Sequence, residues 1–175
     1  MNYDFMRVFE DNHEKIYEDY LSVKNSTIPW PEPHLYGAKG WDVYGLFISG
    51  YWSRMSGKSN PVSRKAKGDV QVLTEECSFT RDLITKYLPS YGTCGFSILR
   101  SGTVIKPHEG VQGNYLRMHL GLEIPEGDLG LNSQTHGSLR WEKGKAFYFD
   151  DRRMHEAWNK TDEDRVILIA DFVGE

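Results

Sequence analysis

From Tyr3 to Val23 the apolar positions Phe5, Val8, Phe9, Ile16, Tyr17, Tyr20 and Leu21 recur at roughly helical spacing with charged residues between them, which predicts an N-terminal helix. Ser26–Gly40 carries Pro29, Pro31 and Pro33 around Trp30. Each proline removes a donor and restricts the residue before it, so the chain is expected to run extended here. Trp41–Ile48 reads as a strand, Tyr51–Gly68 as a polar and basic loop, and Thr74–Leu88 as a second helix stopped by Pro89. Beyond Pro89 the texture changes. Short runs rich in β-branched and aromatic residues, broken by Gly or Asp, predict strands at Cys94–Leu99, Thr103–Lys106, Tyr115–Ile124, Leu129–Leu131, Leu139–Trp141, Lys145–Phe149 and Val166–Val173. Strands this short with turn signals between them predict a mainly β sandwich or barrel, which a jelly roll is one way to close.

The chain has 175 residues, 39% of them hydrophobic and 26% charged, which is the composition of one ordinary globular domain. The expectation is a single domain over 1–175, with 1–90 a helical and extended lead-in packing on the barrel and 91–175 the core that holds the chemistry. A core of that size needs no structural staple, so a bound metal would be functional. A net charge of -4 argues against a nucleic-acid or anionic-membrane partner, which calls for a basic face. The local cluster Arg64-Lys65-Ala66-Lys67 lacks aromatic interleaving or a phosphate loop and reads as a solvated loop. Cys77 and Cys94 have no C-x-x-C spacing, and two cysteines are too few for a disulfide scaffold, which favours a reduced, intracellular protein. The first residues are too polar for a signal peptide and no later window holds 18 apolar residues, so a cytoplasmic, non-membrane protein is expected.

Of the six histidines, His13, His34 and His136 sit in polar or turn-like surroundings and read as surface. His108, His119 and His155 fall on or beside the strands of the β region. A strand histidine is ordinarily a hydrogen-bonded core residue, but the neighbours of these three raise the ligating reading. In Lys106-Pro107-His108-Glu109-Gly110, positions 108 and 110 share a face, and a His-x-Asp facial site would place its carboxylate at 110. That position is glycine, and alternation sends Glu109 to the opposite face. Arg165 follows His155 by ten positions and opens the apolar strand Val166–Ala170, where a guanidinium needs an anionic partner. Arg117 and His119 repeat the i, i+2 spacing on another strand. A structural ion pair would explain Arg165 alone, whereas two strands aiming such groups inward suggest a small dianion bound deep in the barrel.

Four blocks in order, Phe96–Gly102, Pro107-His108-Glu109-Gly110, Leu116-Arg117-Met118-His119-Leu120-Gly121-Leu122 and Phe149–Asn159 with its Asp150-Asp151 and His155-Glu156-Ala157-Trp158-Asn159, resemble the aspartyl/asparaginyl β-hydroxylase family. The upstream Trp30-Pro31-Glu32 and Trp41–Phe47 are similar to the same family. The resemblance implies a double-stranded β-helix dioxygenase that uses Fe(II), 2-oxoglutarate and molecular oxygen to hydroxylate a β-carbon of an aspartyl or asparaginyl substrate, peptide or amino acid, releasing succinate and carbon dioxide. It further implies iron ligation by His108 and His155, pairing of Arg165 with the distal carboxylate of 2-oxoglutarate, and Ser97, Arg117 and His119 completing the cosubstrate pocket. Gly110 agrees with that family, which has glycine where the acidic ligand is expected. On this reading position 110 is a vacancy filled by water, and Gly110→Asp is expected to tighten iron binding. The departure is Arg152-Arg153-Met154, where the family more often has a small hydroxyl residue after the two aspartates. Two other classes fit the same residues: a 2-oxoglutarate-dependent halogenase, since a position free of carboxylate admits chloride, and a non-catalytic cupin-like module that holds a small anion or metal.

Overall fold

The computed structural model describes residues 3–37, 39–49, 64–67, 70–110 and 113–174. Two helices, α1 (Phe5–Asp11) and α2 (His13–Val23), precede the first strands, β1 (Ile28–Pro29) and β2 (Trp41–Ile48). β3 (Arg64–Lys67), β4 (Val70–Val72) and α3 (Ser78–Tyr87) follow. The remaining strands are β5 (Cys94–Leu99), β6 (Thr103–His108), β7 (Tyr115–Glu123), β8 (Leu129–Ser133), β9 (Gly137–Leu139), β10 (Ala146–Phe149), β11 (His155–Asn159) and β12 (Arg165–Val173). They form an eight-stranded sheet, ordered β10-β7-β12-β5-β2-β4-β3 with β1 on β2, and a four-stranded sheet, β6-β11-β8-β9. All strand pairs are antiparallel. This is the double-stranded β-helix with flanking N-terminal helices expected from the sequence.

The single predicted N-terminal helix is two. Asn12 leaves helical geometry at φ -113° and turns its Nδ2 onto the Val8 carbonyl at 2.8 Å, a side-chain bond that competes with the helical ladder. Of the predicted loop Tyr51–Gly68, only 64–67 lies among the described residues, and it is strand β3 at the sheet edge. An edge strand needs no apolar alternation, so the basic run concealed it. β2, upstream of residue 90, lies inside the large sheet between β5 and β4.

Alternation on the large sheet decides where the chemistry goes. Phe96 and Ile98 of β5, Met118 and Leu120 of β7, and Leu168 and Phe172 of β12 pack with Phe9, Ile16, Tyr20 and Ile84 under the helices. Leu99, Ile167 and Ile169 face the other way, toward Ile105, Leu131 and Ala157 of the small sheet. Both faces of β12 are therefore buried, which is why its sequence is a continuous apolar run rather than an alternating one. Among the odd-numbered positions on β5, β7 and β12, the polar Ser97, Arg117, His119 and Arg165 line the space between the sheets.

Candidate active site

The space between the sheets is a small cavity of about 30 Å³ whose lining includes Ser97, His108, Arg117, His119, Asp151, His155 and Arg165. All six residues predicted for the site are thus brought together. His13, His34 and His136 lie elsewhere: His34 and His136 are exposed, and His13 turns its Nδ1 to the Glu10 carbonyl at 2.8 Å.

His108 ends β6 and His155 opens β11, and the two residues are partners across the strand pair. Their ring centroids are 4.2 Å apart. In each, Nδ1 lies 2.8 Å from the main-chain carbonyl two residues earlier, Lys106 for His108 and Arg153 for His155. A carbonyl only accepts, so Nδ1 carries a proton in both rings, and in the neutral tautomer Nε2 is the atom left with a lone pair. Burial holds the His155 pKa below the usual histidine value, against the opposing pull of the Asp151 carboxylate. Two imidazoles whose Nδ1 atoms face main-chain acceptors, with Nε2 turned away from them, are what a metal site presents.

Asp151 was given no role by the sequence. It reaches the site from the turn between β10 and β11, with its Oδ1 3.4 Å from His155 Nε2 and 2.9 Å from an Arg117 terminal nitrogen. It also sits against Gly110, whose amide donates to the Asp151 carbonyl at 2.8 Å. A Cβ at 110 would overlap the Asp151 carboxylate and lie 2.7 Å from the Asp151 main-chain oxygen. Position 110 is therefore not the open vacancy expected from the sequence. Among the described residues no group of three or more His, Cys, Asp or Glu side chains is arranged to hold a metal ion.

Arg117 makes a second pair, through Nε and a terminal nitrogen to Asp171 at 2.7 and 3.0 Å. Burial pulls its pKa down, but Asp151 and Asp171 outweigh that and hold it above the ordinary arginine value. The Asp171 carboxyl is raised by burial, against the pull of Arg117.

Arg165 differs. It is 2% exposed, its Nε has no hydrogen-bond partner among the described residues, and its guanidinium reaches Ser97 Oγ at 3.4 Å. The face of Trp141 lies 4.6 Å from its central carbon. Burial alone pushes its pKa down to about 9. An uncompensated buried cation is costly to leave without an anion. Beside it, Trp41 Nε1 donates to Ser97 Oγ at 3.0 Å and Trp141 Nε1 donates to His119 Nδ1 at 3.1 Å. Burial lowers the His119 pKa well below the usual value, with Arg165 and Arg117 adding to the effect, so this ring is neutral.

The chain matches the Aspartyl/Asparaginyl beta-hydroxylase family over residues 10–174. It belongs to that family. Among individual relatives, an "Ornithine lipid ester-linked acyl 2-hydroxylase" of Rhizobium tropici is 42% identical over 87 residues, 49% of this chain and 31% of the relative. An "Aspartyl/asparaginyl beta-hydroxylase" of Mus musculus is 39% identical over 80 residues, 46% of this chain and 11% of the relative. The matches to this aspartyl/asparaginyl β-hydroxylase family member thus span less than a third of either relative. In fold it is similar to the crystal structure of a Pseudomonas putida prolyl-4-hydroxylase, with a TM-score of 0.53 at 14% identity over 100% of this chain and 89% of that one.

Proposed function

We propose that this chain is an Fe(II)- and 2-oxoglutarate-dependent dioxygenase. The observation that carries the reading is Arg165, a buried guanidinium with an unpartnered Nε, set in the same cavity as two imidazoles whose Nδ1 atoms are tied to main-chain carbonyls, leaving Nε2 as the ligating atom. His108 and His155 would hold the iron. Arg165 and Ser97 would bind the distal carboxylate of 2-oxoglutarate, and His119 and Arg117 would complete its pocket. Bound together, iron, 2-oxoglutarate and oxygen supply the oxidation: substrate C–H, 2-oxoglutarate and O2 become C–OH, succinate and carbon dioxide. The chain's own part is to hold the cosubstrate in one orientation, keep both imidazoles in the ligating tautomer and exclude water with Trp141, Phe149 and the apolar residues around them.

A groove lined by Pro107, Asn132, Gln134, Met154 and Glu156 opens beside His155 and offers the substrate its approach. The family supports an aspartyl or asparaginyl side chain, in a peptide or amino acid, hydroxylated at the β-carbon. The R. tropici relative, named for acyl hydroxylation of a lipid, supports an acyl chain as a second substrate class, and the half-exposed Met154 gives that groove an apolar contact. The deciding experiment incubates the chain with Fe(II), 2-oxoglutarate and O2, offering Asp- and Asn-containing peptides and acylated lipids, and assays succinate and hydroxylated product. Hydroxylated product and equimolar succinate support the reading. A chlorinated product that requires chloride identifies a halogenase, and absence of succinate with every substrate identifies a binding module.

A further inference from the structure

Two tryptophans in the cavity wall make hydrogen bonds whose direction is fixed by chemistry. An indole N–H only donates, so the atom it meets must accept. Trp41 Nε1 meets Ser97 Oγ at 3.0 Å, and Trp141 Nε1 meets His119 Nδ1 at 3.1 Å.

We propose that Trp41 and Trp141 are positioning residues that turn the cavity wall around Arg165 into an array of donors, each by occupying the acceptor atom of a neutral neighbour. Ser97 Oγ receives both the Trp41 indole and an Arg165 N–H at 3.4 Å. A hydroxyl has two lone pairs and one proton, so with both lone pairs engaged the proton is left for whatever enters the cavity. His119 is neutral and carries one proton. Acceptance at Nδ1 places that proton on Nε2, the opposite tautomer to His108 and His155, whose Nδ1 atoms face carbonyls. The face of Trp141 also lies under the Arg165 guanidinium at 4.6 Å, where cation and ring attract.

Guanidinium N–H, hydroxyl O–H and imidazole Nε2–H then face the cavity together. A carboxylate, which only accepts, satisfies all three, whereas an amide or alcohol in its place would set a donor against a donor. The inference rests on the cosubstrate reading above and adds that the selection of a carboxylate is set one layer behind the residues that touch it.

Two measurements test this. In the metal-free chain with 15N-labelled histidine, long-range proton–nitrogen spectra should show His119 protonated at Nε2 only, and Trp141→Phe should populate the other tautomer. A wild-type His119 protonated at Nδ1 overturns the proposal for Trp141. For Trp41, 2-oxoglutarate is titrated by calorimetry into the Mn(II)-loaded chain. Trp41→Phe, which keeps an aromatic ring at the position and removes the N–H, should weaken binding about 3- to 10-fold, as expected for one neutral hydrogen bond. In a Ser97→Ala background the same substitution should change nothing, because the effect runs through the Ser97 hydroxyl. Equal loss in both backgrounds, or none in either, overturns the proposal. Wild-type chain that fails to bind 2-oxoglutarate overturns the cosubstrate reading itself, whereas wild-type binding with Trp41→Phe unchanged overturns only this inference.

Discussion

Asp151 stands where a side chain at Gly110 would have to go. A Cβ at 110 would run into the Asp151 carboxylate, and the Gly110 amide is already tied to the Asp151 carbonyl at 2.8 Å. The glycine in His108-Glu109-Gly110 thus has a local cause: it makes room for a carboxylate that arrives from a different turn and is held by Arg117.

Substitution at 110 therefore acts through packing. Gly110→Ala should destabilise the chain by about 1–3 kcal/mol, the usual cost of overpacking, as read by a lowered denaturation midpoint with an unchanged slope. Gly110→Asp should cost more, since it also brings a second carboxylate beside Asp151, and it should loosen metal binding instead of tightening it. Wild-type stability in Gly110→Ala would show that Asp151 moves aside freely.

Removing the Asp171 charge leaves Arg117 with only Asp151. Asp171→Asn should cost about 3–5 kcal/mol, because breaking a buried pair strands the partner's charge. The check is equilibrium unfolding at neutral pH, and a loss under 1 kcal/mol would mean that Asp151 alone neutralises Arg117.

Arg165 trades stability for binding. Arg165→Met should raise the unfolding free energy of the ligand-free chain by at least about 1 kcal/mol, since it removes an uncompensated buried cation, and it should abolish 2-oxoglutarate binding. Arg165→Lys keeps the charge but loses the planar fork, and should raise the 2-oxoglutarate requirement about ten-fold. Destabilisation of the ligand-free chain by Arg165→Met would show that Ser97 and the Trp141 face already compensate the buried charge.

His119 makes stability depend on pH. Its folded pKa lies well below the usual 6.5, so below about pH 6.5 the unfolded chain binds a proton that the folded chain refuses. Stability from this group is full above pH 6.5 and falls with acid at about 1.4 kcal/mol per pH unit until the depressed pKa is reached. His119→Gln should flatten the slope over that window by one proton, and an unaltered slope would mean that His119 is protonated in the fold.

The β region was legible because its strands alternate or run apolar between turns, and the six residues chosen there line one cavity. β11 was not predicted. His155–Asn159 mixes charged, aromatic and amide residues, and only its pairing with β6 and β8 makes it a strand. The roles of Asp151, Asp171, Trp41 and Trp141 escaped for a different reason. Each acts on a residue far away in sequence: Asp171 on Arg117 54 positions away and Trp41 on Ser97 56 away. Spacing rules within one strand see only i, i+2 neighbours, so they find the groups that face the cavity and miss those that orient them. The Asp150-Asp151 pair marked a motif but not which of the two turns inward. Asp150 instead bonds Arg152 at 2.7 Å, which lowers its pKa.

Anaerobic titration tests whether His108, His155 and Arg165 hold iron and 2-oxoglutarate together. Fe(II) and 2-oxoglutarate added to the wild-type chain should each tighten the other's binding and produce a visible charge-transfer absorption. That absorption should vanish in folded His155→Ala, and in Arg165→Met it should vanish while the fold is retained. Full iron occupancy in folded His155→Ala, or an undiminished absorption in Arg165→Met, would contradict the assignment.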